Sequence, residues 1–61
     1  MDWHICVMLT KNGHTDEIEV ESASVKGSKN KGELILTYVQ FGDETKVKYY
    51  PGRGDRVSIT E

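Results

Sequence analysis

Two runs of alternating apolar and polar residues flank Asn12-Gly13, one before the pair and one after it. Asn-Gly is the strongest short-range hairpin signal, because a type I′ turn needs positive φ at both central residues. That turn sets a register in which Thr10 faces Thr15, Met8 faces Glu17, Val7 faces Ile18 and Ile5 faces Val20. One face of the hairpin then carries Ile5, Val7, Leu9, Ile18 and Val20, and the other carries His4, Cys6, Met8, Glu17, Glu19 and Glu21. A slip of one residue would reverse every one of these assignments, so the apolar pattern and the turn specify the same pairing.

The segment 33–41 carries conflicting signals. Its β-branched and aromatic residues favour a strand, but a strand would place Leu34, Leu36 and Tyr38 on one face and Ile35, Val39 and Phe41 on the other. Burial on both faces belongs to layered proteins larger than this one. On a helical projection of 25–41, Lys26, Lys29, Asn30, Glu33, Thr37 and Gln40 form a polar arc. Val25, Ser28, Gly32, Ile35, Leu36 and Val39 form the opposite one, with Tyr38 beside them. Ser22 or Ser24 suits the N-cap and Gly42 the C′ position, although Gly27 and Gly32 each cost a helix about 1 kcal/mol relative to alanine. Periodicity therefore predicts an amphipathic helix over about 24–41.

Alternation returns over 46–50, where Val47 and Tyr49 oppose Lys46, Lys48 and Tyr50, until Pro51-Gly52 ends it. Arg53-Gly54-Asp55 reads as a turn, and 56–60 alternates once more as an edge strand beside the preceding one or as a frayed tail. The expected architecture is α+β: an antiparallel sheet of three to four strands with one helix on one face. The strand after the helix would lie beside the first. The core would comprise Ile5, Val7, Leu9, Ile18, Val20, Val47, Tyr49 and Val57 against Val25, Ile35, Leu36 and Val39. The alternative is an all-β small barrel of the SH3 or OB type.

The order strand, turn, strand, serine-capped helix, glycine stop, strand resembles that of many small phage-encoded accessory proteins. In outline it is similar to the compact phage inhibitors of bacterial RNA polymerase. The resemblance spans Trp3 to Tyr50 and transfers no functional residue. It implies a class: a small cytoplasmic protein that binds a host or phage protein.

Sixty-one residues, 36% hydrophobic and 30% charged, suit one small globular domain with a modest core. No run approaches a membrane span or a signal peptide, and a single cysteine fits a reducing cytoplasm. The net charge is −2, with acids concentrated in 1–25 and 33–45 and bases in 26–32 and 46–56.

Candidate chemistry is sparse. His4, Cys6 and His14 lack the paired spacing and the fourth ligand of a structural zinc site. Nothing in the pattern places a base beside Cys6, which reads as a small packed hydrophobe. His4 is expected opposite Glu21, and Trp3 in the core. Gly27-Ser28-Lys29 lacks phosphate-loop spacing, and Arg53-Gly54-Asp55 is too short to read as an adhesion motif. No cofactor and no enzymatic activity are expected.

Glu17, Glu19 and Glu21, at period two, form an acidic row about 13–14 Å long at roughly 3.4 Å per residue, with Met8 leaving apolar surface among them. This row is the expected site for a protein partner. The rival is nucleic-acid binding through Lys46, Lys48, Arg53, Arg56 and Tyr50, which the acidic pI of about 5.6 disfavours. A third possibility is a homodimer joined through edge strands.

Overall fold

A computed structural model of the chain describes residues 5–28 and 32–61, with only the backbone of Ser28. The expectations for Trp3, for His4 (as a ligand and opposite Glu21), and for Lys29, Asn30 and Lys31 lie outside the described residues. Six strands account for most of the rest: β1 (Ile5–Lys11), β2 (His14–Val20), β3 (Ser22–Ser28), β4 (Glu33–Gln40), β5 (Asp43–Tyr49) and β6 (Arg56–Thr60). One 3-10 turn, Pro51–Arg53, joins β5 to β6. The strands form two antiparallel three-stranded sheets, ordered β2-β1-β6 and β3-β4-β5.

The β1–β2 hairpin has the register that Asn12-Gly13 implies: Ile5 opposes Val20, Val7 opposes Ile18, Met8 opposes Glu17 and Thr10 opposes Thr15. Asn12 and Gly13 hold φ of 55° and 76°, which the type I′ turn requires. A single residue, Glu21, separates β2 from β3, and its amide donates to the Val39 carbonyl at 2.8 Å. The chain thus passes from one sheet into the other with almost no connection.

The helix expected over 24–41 is not formed, and the α+β class is corrected to nearly all-β, the class of the alternative. Among the described residues six strands form two three-stranded sheets. The helical projection mixed residues of β3, the following loop and β4. Antiparallel pairing puts Val25 opposite Leu36, so the apolar arc of the projection gathered residues that meet across two strands. The objection to burial on both faces fails because β4 is the centre of its sheet. Lys26 and Lys48 flank Ile35, and Ser22 and Glu44 flank Val39, so with a strand on each side both outer apolar positions are half-buried. Glycine 42 belongs to a turn: Phe41 and Gly42 have φ of 54° and 80° and link β4 to β5.

Two pairings also differ from expectation. β5 lies beside β4, and it is β6 that pairs with β1, with Val57 opposite Leu9 and Ile59 opposite Val7. The core sits between the sheets, where Val7 and Val20 meet Leu36 and Tyr49. Ile5, Ile18, Ala23, Leu34, Tyr38 and Val57 pack around them. Val25 is exposed, and Ile35 and Val39 face outward, so three of the expected core residues give way to Leu34 and Tyr38 on the inner face of β4. Gly27 opposes Leu34, and a methyl group at that glycine would collide with the Leu34 side chain, so the bare backbone makes room for a core residue.

Polar clasps join the sheets at two places. At the Asn12-Gly13 turn, Asp55 accepts from the amides of Tyr50 (2.9 Å) and Asn12 (3.4 Å), while Lys11 Nζ donates to the Lys48 carbonyl at 2.7 Å. At the β2–β3 corner, Gln40 Nε2 donates to the Glu19 carbonyl at 3.1 Å, and the Gly42 amide donates to Glu21 Oε2 at 2.9 Å.

Burial raises the Tyr49 phenol above its ordinary 10.0. The folded chain therefore keeps this proton in a range where the unfolded chain has lost it, and stability falls as pH rises through and beyond 10.0. Thermal unfolding of the wild type and Tyr49→Phe, compared between neutral pH and about pH 11, is expected to show a smaller alkaline loss in the variant. Equal losses would exclude Tyr49 as the source.

Candidate functional site

The outer face of the β2-β1-β6 sheet carries Cys6, Met8 and Thr10 on β1, flanked by Glu19, Glu17 and Thr15 on β2 and by Thr60, Ser58 and Arg56 on β6. β1 is the central strand, so Met8 occupies the middle of this surface, 43% exposed, between Glu17 and Ser58. Glu17 and Glu19 are both exposed, and their charges reach the next strand. Partial burial first, and then the carboxylates of Glu17 and Glu19, push the Cys6 thiol above its ordinary 9.0. A thiol held protonated is a poor nucleophile, and among the described residues no activating base stands beside Cys6.

Of the expected acidic row, Glu17, Glu19 and Met8 share the outer face, whereas Glu21 stands at the bend between the sheets and accepts the Gly42 amide. Its carboxylate organises a turn. Beyond β2, Glu21 fixes where the β4–β5 hairpin ends relative to Glu19, whose carbonyl holds Gln40.

The basic set does not converge. Lys46 and Lys48 lie on β5, each 3.9 Å from a carboxylate, of Glu44 and Glu33 respectively. Arg53 stacks its guanidinium 4.6 Å from the centre of the Tyr50 ring, and the Tyr50 hydroxyl donates to Glu33 at 3.3 Å. Arg56 lies on the other sheet, opposite Thr10. A shallow concavity of about 350 Å³ on the outer face of β3-β4-β5 is lined by Ser24, Lys26, Ile35, Thr37, Glu44 and Lys46, and there too a glutamate accompanies the lysines.

The remaining sequence candidates resolve simply. His14 contacts Asp16 at 3.1 Å at the exposed end of the hairpin. Among the described residues no three His, Cys, Asp or Glu side chains gather as a metal site. Within Arg53-Gly54-Asp55, Gly54 takes φ 96° after the 3-10 turn, and Asp55 is buried with its carboxylate turned to backbone amides. No helix among the described residues is long and apolar enough to cross a membrane.

Two residues that sequence reasoning missed stand out. Asp55 is the buried polar side chain of the described core, and Phe41 is exposed at a turn. The signal for Phe41 was a bulky residue directly before a glycine between two alternating runs, where Asn-Gly would be usual. Comparison with known proteins adds no relative to this geometry: no family model, no curated protein and no solved structure matches the chain.

Proposed function

We propose that this chain is a small non-enzymatic binding domain that docks a basic segment of another protein on the outer face of β1 and β2. The observation that carries the reading is Met8, exposed at the centre of the sheet and paired directly with Glu17, with the Cys6–Glu19 pair beside it. An apolar centre bordered by charge is the usual composition of a protein contact, where the apolar residue supplies affinity and the charges select the partner and speed encounter. Two carboxylates on one side select a cationic partner. The lysines of β5 and the Arg53–Tyr50 stack already face groups within the chain, which favours the acidic face over nucleic acid as the docking surface.

Panning a random peptide library on the immobilised protein tests this. The expected consensus carries lysine or arginine alternating with apolar residues, since an extended segment meets a sheet at period two. Reversing both charges, Glu17→Lys with Glu19→Lys, should weaken the selected peptide by at least about tenfold, or about 1.4 kcal/mol. Both side chains are exposed, so circular dichroism and the urea midpoint should change little. Selection of acidic or purely apolar peptides, or binding indifferent to the charge reversal, would overturn the reading.

A further inference from the structure

Strand β2 ends its sheet: β1 pairs with it on one side, and the order β2-β1-β6 puts no described strand on the other. The Asn12-Gly13 turn decides which of its main-chain groups face that open side. A two-residue turn makes the residues that bracket it, Lys11 and His14, a hydrogen-bonded pair, and along antiparallel strands bonded and non-bonded pairs alternate. Leu9 with Asp16, Val7 with Ile18 and Ile5 with Val20 are therefore bonded across the hairpin. Thr15, Glu17 and Glu19 turn their amides and carbonyls outward instead. The Glu19 carbonyl agrees with this phase, since it accepts from the Gln40 side chain of the other sheet. Among the described residues nothing takes the outward groups of Thr15 and Glu17, and both residues are exposed.

Charge then selects what this edge admits. β2 carries Asp16, Glu17 and Glu19 and no lysine or arginine, whereas the other strands that end a sheet carry Lys26 (β3), Lys46 and Lys48 (β5) or Arg56 (β6). A second copy of β2 would set acid against acid, which is how an edge avoids pairing with itself. A cationic strand meets the opposite condition. The side chains fit as well: residues opposite Glu17 and Glu19 would share the outer face, and the residue between them would lie against half-buried Ile18. We propose that the basic segment docks by adding to β2 as a further antiparallel strand, bonded through its main chain to Thr15 and Glu17. Its basic residues stand opposite Glu17 and Glu19, and an apolar residue stands opposite Ile18. This assignment rests on the proposed function and adds the mode of docking.

The test compares the library-selected basic peptide with copies methylated at one backbone nitrogen each, by fluorescence anisotropy. An N-methyl group removes one donor and blocks close approach to the edge, while every side chain stays in place. Methylation at the basic positions, whose amides would face β2, should weaken binding at least about tenfold. Methylation at the intervening residues, whose amides point away, should change it less than about threefold. By hydrogen exchange, saturating peptide should slow the amides of Thr15 and Glu17 at least about tenfold relative to the free protein. Losses without that alternation, or Thr15 and Glu17 amides that exchange as fast with peptide as without it, would overturn strand addition. The acidic-face reading would survive either result provided that Glu17→Lys with Glu19→Lys still weakened binding, since it needs only the side chains. Failure to select basic peptides at all would remove both.

Discussion

Asp55→Ala is expected to cost the domain a large part of its stability. Asp55 is only 4% exposed, and its two oxygens serve the Tyr50 amide at 2.9 Å and the Asn12 amide at 3.4 Å. One bond orients the β5–β6 connection and the other reaches the β1–β2 turn, so the side chain holds together segments distant in sequence. A hydrogen bond to a charged group contributes about 1.5–3 kcal/mol, and truncation also strands the donors, for a loss of about 2–4 kcal/mol. At about 0.05–0.15 kcal/mol per residue, a chain this short holds roughly 3–9 kcal/mol in all. Asp55→Asn should cost less than alanine, since one oxygen remains as an acceptor while the new amide confronts a backbone donor. The urea midpoint should fall in that order with an unchanged slope. A midpoint unmoved by Asp55→Ala would show that the clasp contributes no stability.

Leu36→Ala is the second large effect. Leu36 is fully buried at the centre of the β3-β4-β5 sheet, opposite Val25 and Val47, and joins Val7, Val20 and Tyr49 in the core between the sheets. Removing such a side chain costs about 2–5 kcal/mol, according to how far the surroundings collapse into the space. Ile35→Ala, one residue earlier on the outer face of β4, should cost about 1 kcal/mol or less, because successive side chains of a strand point to opposite sides. The contrast decides between secondary structures: the helix drawn from the sequence placed Ile35 and Leu36 together on its buried arc. Similar losses in urea unfolding for the two variants would fit the helix and count against the strand.

What could be read from the sequence follows from where local signals were unambiguous. The Asn12-Gly13 turn specified a register and the alternation specified the same one, so the β1–β2 hairpin and the outer face carrying Met8, Glu17 and Glu19 were legible in full. The second hairpin was not, because a glycine at positive φ ends a helix as well as it turns a strand, and Gly42 satisfied both readings. The outward positions of β4 looked too apolar for a small protein only because the covering strands lay elsewhere in the sequence. Glu21 was grouped with the acidic row by spacing alone, whereas the bend after Val20 turns its carboxylate to Gly42. Asp55 read in the sequence only as part of a turn, and its partners, the nearby Tyr50 amide and the distant Asn12 amide, are set by the folded chain.

The pairing of β6 with β1 also constrains how the chain is made. β1 is the central strand of its sheet, yet one of its neighbours comprises Arg56–Thr60, some fifty residues later. Until those residues leave the ribosome, β1 has one unpaired edge, and Val7 and Leu9 lack the cover of Ile59 and Val57. Asp55 cannot reach Asn12 any earlier. Such long sequence separations favour folding over milliseconds to seconds, after synthesis of the segment and not during it. Nascent chains halted before residue 55 should therefore be the form most prone to edge-to-edge association, with Lys11 and the acidic residues of β2 as their chief protection.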